Sequence, residues 1–272
     1  MIGDEGPQMS AHNATTDLTL AIDCGNTNTR FCLLKDLAVV ASWRRVTDDK
    51  RTADEDRVWL SQLMQLEGFE LSRVRAVVIA SVRPRSTFGL KQLSEVAFGL
   101  TPLVVGEGDV QLKVSPRMAR PEQVGADRLV NARALEHSGE VPAIIVDFGT
   151  ATTFDLIDAQ GAYAGGVISP GVNVSIDALY AAAAKLPQVA LVPDPPTLGE
   201  DTVSAMQSGI FWGYVGLIEG IISRLKNEHG QGLRVIATGG LATLFATATD
   251  AFDDIRDDLT ILGLGLVERD HR

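Results

Sequence analysis

The chain has 272 residues, of which 45% are hydrophobic and 22% charged, and a formal net charge of −11. Its length suits one large domain or two ordinary ones of ~100–200 residues, and its composition is that of a folded globular protein, which excludes a disordered or fibrous chain. With 24 Lys and Arg against 35 Asp and Glu, its field repels phosphate backbones and argues against a nucleic-acid partner, so a phosphate ligand would have to be held locally by backbone N–H groups, helix N-termini and cations.

Residues 1–17 (MIGDEGPQMSAHNATTD) lack the cationic and apolar regions of a signal peptide and read as a disordered polar tail. No run approaches the ~20 apolar residues that span a bilayer, so the expectation is a cytoplasmic protein with no membrane partner. Residues 18–23 (LTLAID) predict a strand, 25–28 a turn, 29–34 the returning strand and 39–46 a third. Val58, Leu60, Leu63 and Met64 predict a helix over 54–66, followed by a strand at 76–80, a helix around 88–98 and a short strand at 103–105. The only cysteines, Cys24 and Cys32, are placed to face one another across the first hairpin, but two cysteines make no secreted disulfide framework, and buried reduced thiols are the expected state.

The second half starts over. Residues 143–147 (AIIVD) predict a strand, 149–151 a turn, 152–157 its return and 163–168 a third strand. At an offset of 124 residues Asp23 falls on Asp147, Gly25 on Gly149 and Thr29 on Thr153, the signature of a duplication. Two domains are expected, 18–137 and 138–272. Further on, 202–225 is the longest helical segment, with a stripe of small residues (Ala205, Gly209, Gly213, Gly216, Gly220), and the strand 233–237 runs into Thr238-Gly239-Gly240 before a short helix from Leu241. Strand, glycine turn and helix form a geometry suited to nucleotides.

Asp23-Cys24-Gly25-Asn26-Thr27 ends a buried strand in a glycine turn whose N–H groups can face a phosphate. Beside a phosphate, Asp23 makes sense with Mg²⁺ or its bound water in between; alternatively, it caps its own turn. The pentapeptide alone leaves both open. The run from Asp147 through Thr150 to Thr153 repeats the device with more hydroxyls, and Gly239-Gly240 offers a third glycine turn. There is no GxxxxGK[ST] loop, protein-kinase signature or HExxH helix, and His12, His137, His229 and His271 are too scattered for a triad or a metal cluster.

The triple arrangement resembles the two phosphate motifs and the adenosine motif of the superfamily of actin, chaperone ATPases and sugar kinases. With DCGNTNT, Gly125-Ala126-Asp127-Arg128 (GADR), DFGTATTFD, GGVISPGV, Leu186-Pro187, Thr202 before Ser208-Gly209, and the terminal TGG, the chain is similar to the type III pantothenate kinases over nearly its whole length from Leu18. The resemblance implies an α/β protein of two ribonuclease H-like, actin-type domains with the active site in the cleft between them.

Carried onto this sequence, the resemblance implies that Asp127 is the general base for the pantothenate hydroxyl, that Gly125, Ala126 and Arg128 line the substrate site, and that Thr202 reaches pantothenate across a homodimer interface. ATP would be held by Asp23, Cys24, Gly25, Asn26, Thr27, Asn28, Thr29 and Arg30, with Thr150, Gly239 and Gly240; Asp147 would bind K⁺ or NH₄⁺, and Mg²⁺ would lie near Asp23. GADR alone favours a helix cap and a surface ion pair for Asp127 and Arg128 over catalysis, and Thr202 alone reads as well as a helix N-cap; the context of the other motifs reverses the ranking for GADR. One departure is Met118, three residues before Pro121, where the family often has a tyrosine; a thioether cannot donate the phenol's hydrogen bond. The rival readings are a non-catalytic ATP-binding regulatory accessory protein, which would need the cradles but no substrate base, and a kinase for another small alcohol.

Overall fold

The computed structural model describes residues 17–110, 112–183 and 185–272, so all but the last residue of the expected tail lies outside the described residues. The chain opens with β1 (Leu18–Cys24), β2 (Asn28–Lys35) and β3 (Ala38–Val46), continues through α1 (Ala53–Leu66), β4 (Val74–Ser81), α2 (Pro84–Phe98) and β5 (Leu103–Val104), and reaches the central helix α3 (Ala126–Ser138). Then come β6 (Ala143–Phe148), β7 (Ala151–Ile157), β8 (Tyr163–Pro170), α4 (Val172–Ala182), α5 (Thr202–His229), β9 (Arg234–Gly239), α6 (Ala242–Ala246), β10 (Asp254–Ile255) and α7 (Leu259–Asp270).

The two halves form sheets of one topology. The first has the order β3-β2-β1-β4-β5, the second β10-β9-β6-β7-β8. In each, the opening strand pairs antiparallel with the next, that one pairs antiparallel with the third, and the opening strand pairs parallel with the fourth. β6 thus repeats β1 strand for strand, as the duplicated motif requires.

Both opening strands are covered on two faces and therefore read as nearly unbroken apolar runs. On the outer side of the first sheet, Leu20, Ile22 and Phe31 pack with Leu60 and Met64 of α1 and Leu90 of α2. On its inner side, Ala21, Leu34 and Val78 meet Val130 of α3 and Ile261, Leu264 and Val267 of α7. The second sheet is built alike, with Phe148 and Val235 against Phe211, Ile218 and Phe245 outside, and Ile145 and Ile157 against Leu135 and Leu259 inside. The result is five layers: outer helices, sheet, α3 with α7, sheet, outer helices. Gly263 permits the middle layer, since a Cβ there would run into the carbonyl of Val130. The last helix of the chain therefore packs on the first sheet.

Local signals explain the helix ends. Thr52 and Glu55 form a reciprocal capping box before α1 (Thr52 N to Glu55 Oε2, 2.7 Å; Glu55 N to Thr52 Oγ1, 3.3 Å). α2 begins four residues earlier than the sequence pattern suggested because Pro84 occupies a first-turn position where its missing N–H costs nothing. α5 runs past 225 to His229, with Lys226 and His229 in its last turn complementing the helix dipole. Cys24 and Cys32 do not face each other. The ladder pairs Cys24 with Thr29 and Cys32 with Ala21, because the turn lies at 25–28; both thiols are free and buried. No described helix is long and apolar enough to cross a membrane.

Candidate active site

The parallel strands of the two sheets end on the same side of the middle layer, and their terminal turns meet there. β1 delivers Asp23, then turns through Gly25, whose N–H donates to Asn28 O (3.0 Å). Three carbonyls of this turn are bound by the scaffold: Thr47 Oγ1 donates to Gly25 O (2.9 Å), Arg83 Nη1 to Asn26 O (3.2 Å) and Thr47 N to Thr27 O (2.9 Å). The N–H groups of Asn26 and Thr27 have no partner among the described residues. A turn whose carbonyls are tied back and whose N–H groups are left over is an anion cradle.

β6 delivers Asp147 to the equivalent place. Gly149 N donates to Ala151 O (3.0 Å), Gly171 N to Thr150 O (3.1 Å), and the hydroxyl of Thr150 lies 2.8 Å from that of Thr27 across the two lobes. β9 runs beside β6 with Thr238 opposite Asp147 and Gly239 opposite Phe148. Gly239 has φ +90°, and a Cβ on it would stand 2.7 Å from Asp147 Oδ1, so conformation and space both demand glycine at this point. Gly240 is exposed beyond it.

α3 brings the third carboxylate. Gly125 is the N-cap, and a Cβ there would meet Asp127 Oδ1 at 2.5 Å; that oxygen instead accepts the N–H of Arg128 (2.9 Å). Asp127 is raised above its ordinary value, chiefly by burial and further by the charge of Asp155, against the lowering effect of the Arg128 N–H. Asp23 and Asp147 are each pushed up to about 7. Burial is the main cause for both, followed by repulsion from Asp127. Asp23 is relieved only in part by Arg30 and Arg44, and Asp147 only by Asn131, whose Nδ2 donates at 3.3 Å and whose Oδ1 accepts from Thr260 Oγ1 (2.8 Å). Three carboxylates thus share a half-buried space with too little positive charge to ionise together.

Among the described residues no group of three His, Cys, Asp or Glu side chains is arranged to hold a metal by itself. What is present fits cations completed by a phosphate ligand and water: uncompensated acidic side chains beside a cradle of free N–H groups. Arg128 does not pair with Asp127. Its guanidinium lies on Asp155 of β7 through Nε (2.7 Å) and Nη2.

The remaining positions singled out in the sequence are dispersed. Cys24 and Thr29 are buried, and Thr29 Oγ1 bonds Thr47 Oγ1 (2.9 Å), so their side chains serve the turn's scaffold. Asn28 is exposed at the start of β2. Arg30 reaches across the lobes to Asp257 O (2.8 Å) and donates within its own sheet to Ser42 Oγ (3.1 Å). Thr202 is exposed at the first position of α5 and is not its N-cap: Asp201 fills that role, accepting from Ser204 N (2.8 Å). No hydrogen bond joins Thr202 to Asp127 or Arg128. Met118 is partly buried in the core around Leu135 and Tyr163. A separate cavity of about 440 Å³ between the start of α1 and α2 lies away from these groups, and its Arg45 and Arg51 are already paired with Asp56 at 2.8 and 2.5 Å. Sequence reasoning missed Thr47, Arg83, Asn131, Asp155 and Tyr163; only Asp155, a charge within a β-branched and aromatic strand, carried a visible signal.

The sequence matches the family model for type III pantothenate kinase over residues 19–224. The chain belongs to the type III pantothenate kinase family. It is 52% identical to the type III pantothenate kinase of Rhodospirillum rubrum over 93% of this chain and 98% of that one, and 51% identical to that of Maricaulis maris over 91% and 95%. Among solved structures, a candidate 2-dehydro-3-deoxygalactonokinase from Sinorhizobium meliloti superposes with a TM-score of 0.58 at 17% identity, covering 93% of this chain and 96% of that one. The ethanolamine utilization protein EutJ from Carboxydothermus hydrogenoformans gives 0.55 at 17%, covering 92% and 89%. These two likenesses concern the fold alone. They agree with the two-sheet, actin-type architecture that places the GADR helix of this pantothenate kinase family between the sheets.

Proposed function

We propose that this protein transfers the γ-phosphate of ATP to the primary alcohol of pantothenate, giving 4′-phosphopantothenate, the first step of coenzyme A synthesis. The observation that carries the mechanism is the meeting of Asp23, Asp127 and Asp147 beside a turn whose Asn26 and Thr27 N–H groups are unpartnered among the described residues. Membership of the family supports the substrate.

The γ- and β-phosphates lie against the N–H groups of Asn26 and Thr27 and the hydroxyls of Thr27 and Thr150, with the adenosine side toward Gly239 and Gly240. Asp23 would hold Mg²⁺ through water, and Asp147 a monovalent cation, K⁺ or NH₄⁺. When bound, these ions neutralise phosphate oxygens and the carboxylates around them. Asp127 accepts the alcohol proton as the new P–O bond forms. Its raised proton affinity suits that work, because a base operating near neutral pH needs a pKa brought up toward it. Arg128 receives the pantothenate carboxylate.

The two lobes, 18–137 and 138–272, would close on ATP. Thr202 would reach pantothenate from a second copy of the chain, which makes the working form a homodimer. The net charge of −11 supports a protein that leaves nucleic acid alone, and two free buried thiols suit a reducing cytoplasm. No observation favours the regulatory reading, which has no use for Asp127 and Arg128.

The test is an assay of purified protein with MgATP, K⁺ and pantothenate, with 4′-phosphopantothenate identified by mass. Phosphorylation of a different alcohol with none of pantothenate would overturn the substrate.

A further inference from the structure

Asp155 is a fully buried carboxylate on a strand whose neighbours Phe154, Leu156 and Ile157 are core residues. Such a charge is expensive to bury and is retained where every lone pair is used. Its Oδ2 accepts from Thr153 Oγ1 (2.9 Å), and its Oδ1 accepts from Tyr163 Oη (2.8 Å) and from Arg128 Nε (2.7 Å), while Arg128 Nη2 meets it as an ion pair without a well-directed hydrogen bond. The strand register sets Asp155 opposite Gly166 on β8. A Cβ on Gly166 would lie 2.5 Å from Arg128 Nη2 and 2.8 Å from Asp155 Oδ1, so the missing side chain is the space in which the guanidinium sits. The ring of Tyr163 lies beneath it, 5.4 Å from Arg128 Cζ.

One edge of the guanidinium is therefore turned onto Asp155, Nε by a hydrogen bond and Nη2 by the ion pair alone. Nη1 has no partner among the described residues, and the side chain keeps 15% of its exposure. A guanidinium presents a rigid planar fork, so fixing one edge fixes the direction of the other. We propose that Asp155, seated against Gly166, is the positioning residue for acceptor recognition: it aims the free Nη1 side of Arg128 at the acceptor's carboxylate.

This inference rests on the pantothenate reading, and the experiment separates the two. Steady-state kinetics are measured for the wild type, Asp155→Asn, Arg128→Ala and the double variant, varying pantothenate and ATP in turn. Asp155→Asn removes the ionic anchor with little change of shape. The expected result is a rise in pantothenate KM of about 10- to 100-fold, the range for a hydrogen bond to a charged group, with ATP KM within about twofold. In the Arg128→Ala background the same change should add almost nothing, because there is no guanidinium left to aim. Equal damage to both KM values, or effects that multiply in the double variant, would make Asp155 a structural residue and overturn the proposal.

Arg128→Lys guards against poor folding of Asp155→Asn. It keeps a charge for Asp155 but loses the planar fork that fixes direction, and should raise pantothenate KM selectively; an unchanged KM overturns the aiming. A wild type inactive on pantothenate strikes the substrate reading instead.

Discussion

Thr27 and Thr150, 123 residues apart and at equivalent turns of the two sheets, touch hydroxyl to hydroxyl at 2.8 Å. In the ligand-free chain each satisfies the other. A phosphate group entering between the cradles replaces that mutual bond by two bonds to a charged acceptor, which are stronger.

Thr150→Ala should therefore raise ATP KM by about 10-fold, the lower range for losing a hydrogen bond to a charged group. Pantothenate KM should stay near the wild-type value. Initial rates with each substrate varied at saturating levels of the other measure both. An unaltered ATP KM would leave Thr150 as a contact between lobes only.

The second prediction concerns pH. Asp23 and Asp147 have folded-state values of about 7, above the unfolded carboxylate value of about 3.9. Between those limits the folded chain binds more protons than the unfolded one, so these groups favour folding most at low pH, and that contribution is lost as pH rises through 7. The ligand-free protein should melt progressively lower from pH 5.5 to pH 8. K⁺ should restore more of the Tm at pH 8, where the carboxylates are ionised, than at pH 5.5, and tetramethylammonium should not match it. Differential scanning fluorimetry in both salts checks this. The same K⁺ increment at both pH values would remove Asp147 from cation binding.

The third prediction is the dimer. Leu198 and Val203, on either side of Thr202 in the chain, are 83% and 42% exposed, and exposed apolar residues suit an interface. Sedimentation should give about twice the 29.1 kDa of one chain. Thr202→Ala should raise pantothenate KM while leaving ATP KM and the mass unchanged. A monomer of full activity would sink the shared site.

Much of the site was readable from local pattern. The duplicated strand and glycine turn located Asp23 and Asp147, because each is set by residues within one hairpin, and the β1–β2 and β6–β7 ladders keep that register. What escaped depends on contacts distant in sequence. Thr47 and Arg83 tie back the first cradle from 22 and 57 residues away, and nothing at either position marks it beforehand. The cysteines were misjudged although the turn at 25–28 was read correctly, since that turn sets Cys24 opposite Thr29 and Cys32 opposite Ala21. The close packing of α7 against α3 depends on the absence of a side chain at Gly263, which helical periodicity does not register. Asp155 lay within the quoted DFGTATTFD run, but its partner is on α3, so its role became visible only with the register and the slot at Gly166.

The last prediction is Asp127→Asn. The carboxylate Oδ1 that accepts from Arg128 N at 2.9 Å has a counterpart in the asparagine amide oxygen, so the start of α3 keeps its cap. The charge removed is one that repels Asp23 and Asp147, and above pH 7 the ligand-free variant should melt at the wild-type temperature or higher. An amide cannot take up the alcohol proton, and loss of a general base lowers rates by about 10²–10⁴-fold. The expected signature is a kcat reduced by that factor, ATP affinity kept or improved by calorimetry because the cradles around Asp23 and Asp147 are intact, and a flat pH–rate profile where the wild type rises as Asp127 loses its proton. A variant that turns over normally but melts earlier would make Asp127 a cap, and the assignment of the base would have to pass to another residue.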